Sequence, residues 1–181
     1  MLSVIVAVKM RIPVKKLTLM AALTAAALII FIIEAQVPLP IPNVKLGLAN
    51  SITLFALFFS YGKERGARFL TVADAFIILV CRIILGAIFT GRVVAFIYST
   101  AGGLMAFAAQ ALVSRFVTNK QIWACGAVGA VFHNIGQIIA AVLVTGTPAI
   151  AAYLPVLIVA GVVTGVITGL LAQITLTRFR G

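Results

Sequence analysis

Acidic residues are almost missing from this chain. Three Asp and Glu stand against fourteen Lys and Arg in 181 residues, with a single His and two Cys. So few acids leave no aspartate-rich magnesium cluster and no carboxylate pair for acid–base work. Cys81 and Cys125 both lie in apolar runs without Cys-x-x-Cys spacing, so they read as small packing residues and not as disulfide partners or metal ligands. A lone His133 without a second His or Cys nearby makes no metal site. No Gly-x-x-x-x-Gly-Lys-Ser/Thr loop is present either, so any work driven by ATP must come from another protein. Neither catalytic residues, cofactor nor metal is expected, and the chain is not expected to be an enzyme. Charged residues amount to only 9% while hydrophobic ones reach 64%, at a mean hydropathy of +1.26. That is too little polar surface to cover a globule in water, and it points to lipid as the solvent.

What is present is a series of apolar runs at 17–37, 46–61, 69–89, 93–116, 122–145 and 149–176. A backbone in hydrocarbon must satisfy its own hydrogen bonds, and these runs lack the alternation of a barrel strand, so each is read as a helix. The expected fold class is all-α: a compact bundle of six transmembrane helices, each needing about 20 residues to cross the bilayer. It divides into a basic N-terminal segment (1–16), the membrane domain (17–176) and a basic tail (177–181). The first run resembles a signal peptide but is too long for one, so it is expected to stay in the mature chain. The apolar stretch 1–8 is too short to cross; either it lies along the interface or the chain starts at Met10.

Eleven of the fourteen basic residues fall on one side of such a bundle: Lys9, Arg11, Lys15, Lys16, Lys63, Arg65, Arg68, Arg115, Lys120, Arg178 and Arg180. The positive-inside rule then places both termini in the cytoplasm, as expected of a multi-pass protein of the cell membrane. The formal net charge of +11 is therefore mostly topology. Nucleic acid is not an expected partner, because the charges are split into short flanks and do not gather on one face.

Topology leaves three cations unexplained. Arg82 falls about twelve residues into the third span, where a charge costs at least about 2.5 kcal/mol on insertion scales and normally faces a cavity or a partner. Lys45 and Arg92 precede the second and fourth spans at the outer side, so the three share one membrane level. Facing a common interior they would form an anion site; facing outward, Lys45 and Arg92 are interfacial anchors, and Arg82 pairs with Glu34 or snorkels. In the fifth span His133 and Gln137 are four apart and stack on one helical face, with Asn134 beside them. Either they line a cavity with Asn50 and Arg82 or they join helices by hydrogen bonds. Asp74 is expected to pair with Arg68 or another cation at the cytoplasmic side.

Small residues mark two close-packing faces. Ala21, Ala22, Ala25 and Ala26 make one on the first span, open to internal packing or to another protein. Gly161, Gly165 and Gly169 make the second on the sixth span, with internal packing expected.

The segment Pro38, Pro40, Pro42, Asn43, Lys45, Gly47, Leu48, Ala49 and Asn50 resembles the signature of the heptaprenyl diphosphate synthase component I family, also called the Gx transporter family. Asp74-Ala75-Phe76, Arg82 with Leu85-Gly86, Gly91-Arg92, Ser99, Gly102-Gly103 and Ala130-Val131-Phe132-His133-Asn134 with Gln137 fit the same pattern, from about residue 33 to 141. The resemblance implies a fold similar to the substrate-binding S components of energy-coupling factor transporters. It implies a small anionic or polar substrate held through Asn43, Lys45, Asn50, Arg82, Arg92, His133, Asn134 and Gln137. It also implies a membrane coupling protein and ATPase subunits as partners, the former docking on Ala21, Ala22, Ala25 and Ala26. The alternative implied by the family's label is a non-catalytic membrane accessory subunit of a prenyl diphosphate synthase.

Overall fold

The computed structural model describes residues 13–36, 45–61 and 70–180. The expectations for the 1–8 stretch, for the proline-rich loop and for Asn43 lie outside those residues. Six α-helices follow one another: α1 (Val14–Glu34), α2 (Asn50–Tyr61), α3 (Val72–Thr90), α4 (Val93–Val113), α5 (Ile122–Thr145) and α6 (Leu154–Arg180), the last preceded by a short 3-10 helix at Pro148–Tyr153. No strand occurs among the described residues. Five of the helices are long and apolar enough to cross a membrane, as in a multi-pass membrane protein, and α2 is not. The six expected helices are all present; among the described residues five have the length of a span and α2 is shorter. At about 1.5 Å per residue α2 rises only about 18 Å. The apolar residues Leu46, Leu48 and Ala49 that made the second run look long are non-helical.

Side-chain burial is inverted relative to a water-soluble domain. Large apolar side chains such as Phe89, Val93, Phe116 and Leu143 face outward, while Glu34, Lys45, Asn50, Arg82, Gln110, His133, Asn134 and Gln137 are buried. A water-exposed surface of that kind would aggregate, whereas a lipid-facing one is at no disadvantage.

Helix direction follows from contacts at the two ends. Thr71 caps α3 through a reciprocal box: its hydroxyl accepts from Asp74 N–H at 3.2 Å, and its own N–H donates to Asp74 Oδ2 at 2.5 Å. Lys16 Nζ reaches the same carboxylate at 2.7 Å, so the starts of α1 and α3 lie side by side. The partner anticipated for Asp74 is therefore Lys16. Leu54, Phe58, Ile122, Cys125, Ala172 and Leu176 form one core that joins α2, the start of α5 and the end of α6. Tyr98, Ile138, Ala141 and Leu157 form another at the opposite end. Neighbouring helices therefore alternate in direction, and the start of α1 and the end of α6 share one end of the bundle.

Glycine sets how closely the last three helices approach. A Cβ on Gly165 would stand 2.6 Å from Gly126 O and 2.7 Å from Ala127 Cα, and one on Gly169 would stand 2.6 Å from Trp123 Cα. One on Gly136 would stand 2.7 Å from Ala101 O. α5 is thereby gripped between α4 and α6, and the glycine ridge of α6 packs inside the bundle, as expected. The alanine face of α1 behaves differently: Ala21, Ala22 and Ala25 are exposed and Ala26 is half-buried.

Candidate anion site

At the end of the bundle away from the Lys16–Asp74 pair, four helices (α1, α2, α3 and α5) send polar groups inward around the short segment 45–49. The segment cannot be helical, because Gly47 has φ +83°, a left-handed conformation that costs a residue with a Cβ. Bulk excludes a side chain there too: a Cβ on Gly47 would stand 2.7 Å from His133 Cδ2. On the ring's other flank a Cβ on Gly102 would stand 2.8 Å from His133 Cε1. Two glycines therefore clamp the imidazole.

The segment is pinned from both sides through its backbone. Gln137 on α5 accepts from Lys45 N–H at 2.8 Å and donates to Lys45 C=O at 2.7 Å, much as a neighbouring strand would. Glu34, at the end of α1, accepts from the backbone N–H of Gly47 and, at 3.2 Å, from that of Leu48. Both donors lie just ahead of α2, where a helix leaves N–H groups unpaired and favours negative charge. Glu34 is 3% exposed, and it faces the protein's interior while α1 presents Ile33 to lipid.

A chain of side-chain bonds crosses the interior. Arg82 Nη2 donates to Asn50 Oδ1 at 2.7 Å, and Asn50 Nδ2 meets His133 Nδ1 at 2.9 Å. Arginine can only donate, which fixes the orientation of the Asn50 amide and leaves its NH₂ facing the imidazole. His133 Nδ1 must then offer a lone pair, so the ring is neutral with its proton on Nε2. A charged His133 would set donor against donor.

The two buried cations are under-used. Lys45 Nζ stands 3.0 Å above the centre of the Phe31 ring, and the Arg82 guanidinium carbon lies 5.7 Å from the same centre. Phe31 itself packs against Gly86, where a Cβ would lie 2.6 Å from the ring. Lys45 is 6% and Arg82 2% exposed, yet among the described residues Lys45 Nζ and Arg82 Nε have no hydrogen-bond partner. The salt bridge recorded among those residues is Lys16–Asp74, so Glu34 lies near both cations without forming a direct ion pair with either. Leaving charged donor atoms without acceptors at membrane depth is costly.

Of the residues anticipated from sequence, Lys45, Asn50, Arg82, His133 and Gln137 come together. Two do not. Arg92 precedes α4 with its side chain exposed, close enough to act on Lys45 through space but outside the buried group. Asn134 turns away to α6, where its Nδ2 donates to Leu157 O at 2.5 Å, and so joins two helices. Phe31, Glu34 and Gly47 belong to the site and were not anticipated in it. Phe31 and Glu34 are three apart and so share a helical face, a spacing visible in the sequence. The described residues contain no group of three or more His, Cys, Asp or Glu able to hold a metal ion.

No curated protein and no solved structure matches this chain. The sequence profile of the family described as heptaprenyl diphosphate synthase component I matches residues 23–175, which include every helix core and every residue of the buried cluster. The chain belongs to the heptaprenyl diphosphate synthase component I family.

Proposed function

We propose that this protein is the substrate-binding membrane subunit of an uptake transporter, capturing a small anionic or polar metabolite and depending on separate coupling and ATPase subunits for energy. The observation that carries this reading is the pair of buried, unpartnered cationic atoms, Lys45 Nζ and Arg82 Nε, beneath a segment held by its backbone. A purely structural arginine at this depth would spend its donors on protein acceptors. The basic flanks set the bundle with both termini in the cytoplasm, which turns the Lys45 end outward to meet cargo. The exposed alanines of α1 offer a flat face on which a coupling helix can pack closely. The fold in this reading is that of an energy-coupling factor S component, in the plasma membrane.

The test is direct. Protein purified in mild detergent is expected to carry a small molecule identifiable by mass spectrometry, and to be stabilised when that molecule is added back. Arg82→Ala is expected to fold and to lose at least about tenfold in affinity, since hydrogen bonds to charged groups contribute about 1.5–3 kcal/mol. An Arg82→Ala protein that binds as tightly as the parent would refute the site.

A second reading has its own support. α1 and α6 stand apart, and the gap between them is floored by α2. It forms a groove of about 400 Å³ lined by Leu23, Ile30, Phe55, Phe59, Leu171 and neighbouring residues. Such a groove suits a hydrocarbon chain, which fits a non-catalytic accessory subunit presenting an isoprenoid diphosphate to a soluble synthase. With three acids in the whole chain, the protein has no aspartate-rich site to hold the magnesium that such catalysis needs. This reading requires co-purification with an aspartate-rich synthase and stimulated product formation, and it fails without them.

A further inference from the structure

We propose that the gap between α1 and α6 binds one acyl chain of an anionic phospholipid, whose phosphate lies between Lys15 and Arg178. This site is separate from the buried cluster, and the proposal does not depend on what that cluster binds. Among the described residues α1 and α6 do not meet, and α2 lies behind both. The groove of about 400 Å³ between them opens to the lipid side, where Leu171 on its rim is exposed. On α1 its wall is Leu19, Leu23 and Ile30, at spacings of four and seven that keep them on one face. The stretch from Leu19 to Ile30 rises about 17 Å at about 1.5 Å per residue. That is close to the depth of one leaflet of a hydrocarbon core about 30 Å thick.

The groove offers a ligand only apolar contact. The hydroxyls that border it are spent on their own backbones: Ser51 Oγ donates to Leu48 O at 2.7 Å, Thr168 Oγ1 to Thr164 O at 2.9 Å and Thr175 Oγ1 to Leu171 O at 2.7 Å. A polar ligand would give up its water there and gain no partner. A transmembrane helix is too wide, because at a diameter of about 10 Å and the same length it fills roughly 1,300 Å³, well beyond the groove. One hydrocarbon chain fits on both counts.

Charge marks where the headgroup goes. Lys15 stands one turn before Leu19 on the same side of α1, and Arg178 follows Leu171 by seven residues on the same side of α6. Both are exposed. The start of α1 and the end of α6 share one end of the bundle, so these two cations flank the same end of the groove. Lys16 beside them is committed to Asp74. At the other end of the groove, marked by Ile30 and Ser51, the nearby Lys45 is turned to the Phe31 ring. Basic side chains between helix ends suit anionic headgroups, and their long stems reach from the acyl region to the phosphate. The groove is open along its side to the bilayer, where phospholipid is the most abundant amphiphile, so mass action fills it from there. The bound chain supplies α1 with the contact that α6 does not make, and α1 carries Phe31, Glu34 and the exposed alanines.

Photo-crosslinking of the full chain in nanodiscs tests the site. The probe is phosphatidylglycerol with a diazirine on one acyl chain, diluted into phosphatidylcholine. Crosslinks are expected to concentrate on peptides covering 19–30 and 168–175, about tenfold or more above peptides at the exposed Leu112 and Trp123 of the same end. Phosphatidylcholine carrying the same diazirine is expected to label the groove about tenfold less, since each basic side chain near the headgroup favours a net anionic lipid. Lys15→Gln combined with Arg178→Gln, both on the surface, is expected to bring the two lipids within about twofold. Leu171→Trp, which places a ring in the mouth of the groove, is expected to lose the groove crosslinks of both lipids. Crosslinks no denser at the groove than at Leu112 and Trp123, or undiminished in Leu171→Trp, overturn the chain site. Equal labelling by the two lipids in the parent, or an undiminished preference in the double variant, overturns the headgroup assignment and with it the proposal. An isoprenoid diphosphate co-purifying in place of phospholipid, and lost in Leu171→Trp, overturns it in favour of the accessory subunit.

Discussion

Gln137→Leu tests whether the segment ahead of α2 is held mainly by its two clamps. Leucine has a similar size to glutamine, so the main loss is the paired bond to Lys45, 2.8 Å at its N–H and 2.7 Å at its carbonyl. Both backbone groups would then stand buried without partners, at about 1–3 kcal/mol each, or about 2–6 kcal/mol together. A folded domain has about 5–15 kcal/mol in hand, so global unfolding is the costlier response. The cheaper one is for segment 45–48 to swing out and rehydrate, giving up the Glu34 bonds and the Lys45–Phe31 contact. Hydrogen exchange read by mass spectrometry on peptides covering Lys45, Gly47 and Leu48 is expected to quicken by roughly 30-fold or more, since each 1.4 kcal/mol is a factor of ten. Peptides from the α5–α6 contact are expected to exchange as in the parent, and affinity for cargo to fall with the loss of a positioned Lys45. Unchanged protection of those three amides would refute the idea that Gln137 holds the segment.

Two further substitutions probe the faces made of small residues. Gly165→Val places side-chain atoms where even a Cβ would lie 2.6 Å from Gly126 O and 2.7 Å from Ala127 Cα. Backbone on both sides cannot give way, so a loss of about 3 kcal/mol or more is expected in detergent unfolding, and a parent-like melting point would show that α5 and α6 are not so close. Ala22→Leu, on the exposed face of α1, is expected to change stability by less than about 0.5 kcal/mol while weakening co-purification with a coupling subunit. A drop in stability would show that this face is covered within the bundle.

The parts legible in the sequence are those where one physical cause acts alone. Five spanning helices could be placed because hydrocarbon demands long apolar runs and nothing competes with that demand. α2 misled for the opposite reason. Residues 46–49 are as apolar as the helix they precede, but one left-handed glycine and the two backbone clamps outweigh helical propensity. Depth was readable for Lys45, Asn50, Arg82, His133 and Gln137, which is why they meet. Direction was not. Arg92 and Lys45 each stand immediately before an apolar run, yet Lys45 is drawn in by Gln137 and Phe31 while Arg92 stays outside. Asn134 shares the depth of His133 but sits about 100° around the helix, as 3.6 residues per turn requires, and so serves α6.

The way the segment is tied also bears on its use. Gln137 and Glu34 could have bonded to the Lys45 side chain; both instead take backbone groups. Asn50 takes a single arm of the Arg82 guanidinium. Backbone bonds fix where Lys45 stands without using its three N–H donors, and the Asn50 bond orients the guanidinium while sparing Nε. An internal salt bridge would have ordered the same residues at the expense of the charge, since a lysine already paired gains little from a second anion. Placing cations by neutral contacts, with the one nearby carboxylate occupied by backbone N–H groups, keeps the attraction available for a ligand. In the proposed reading, the same arrangement lets an anion stabilise the bundle as it binds.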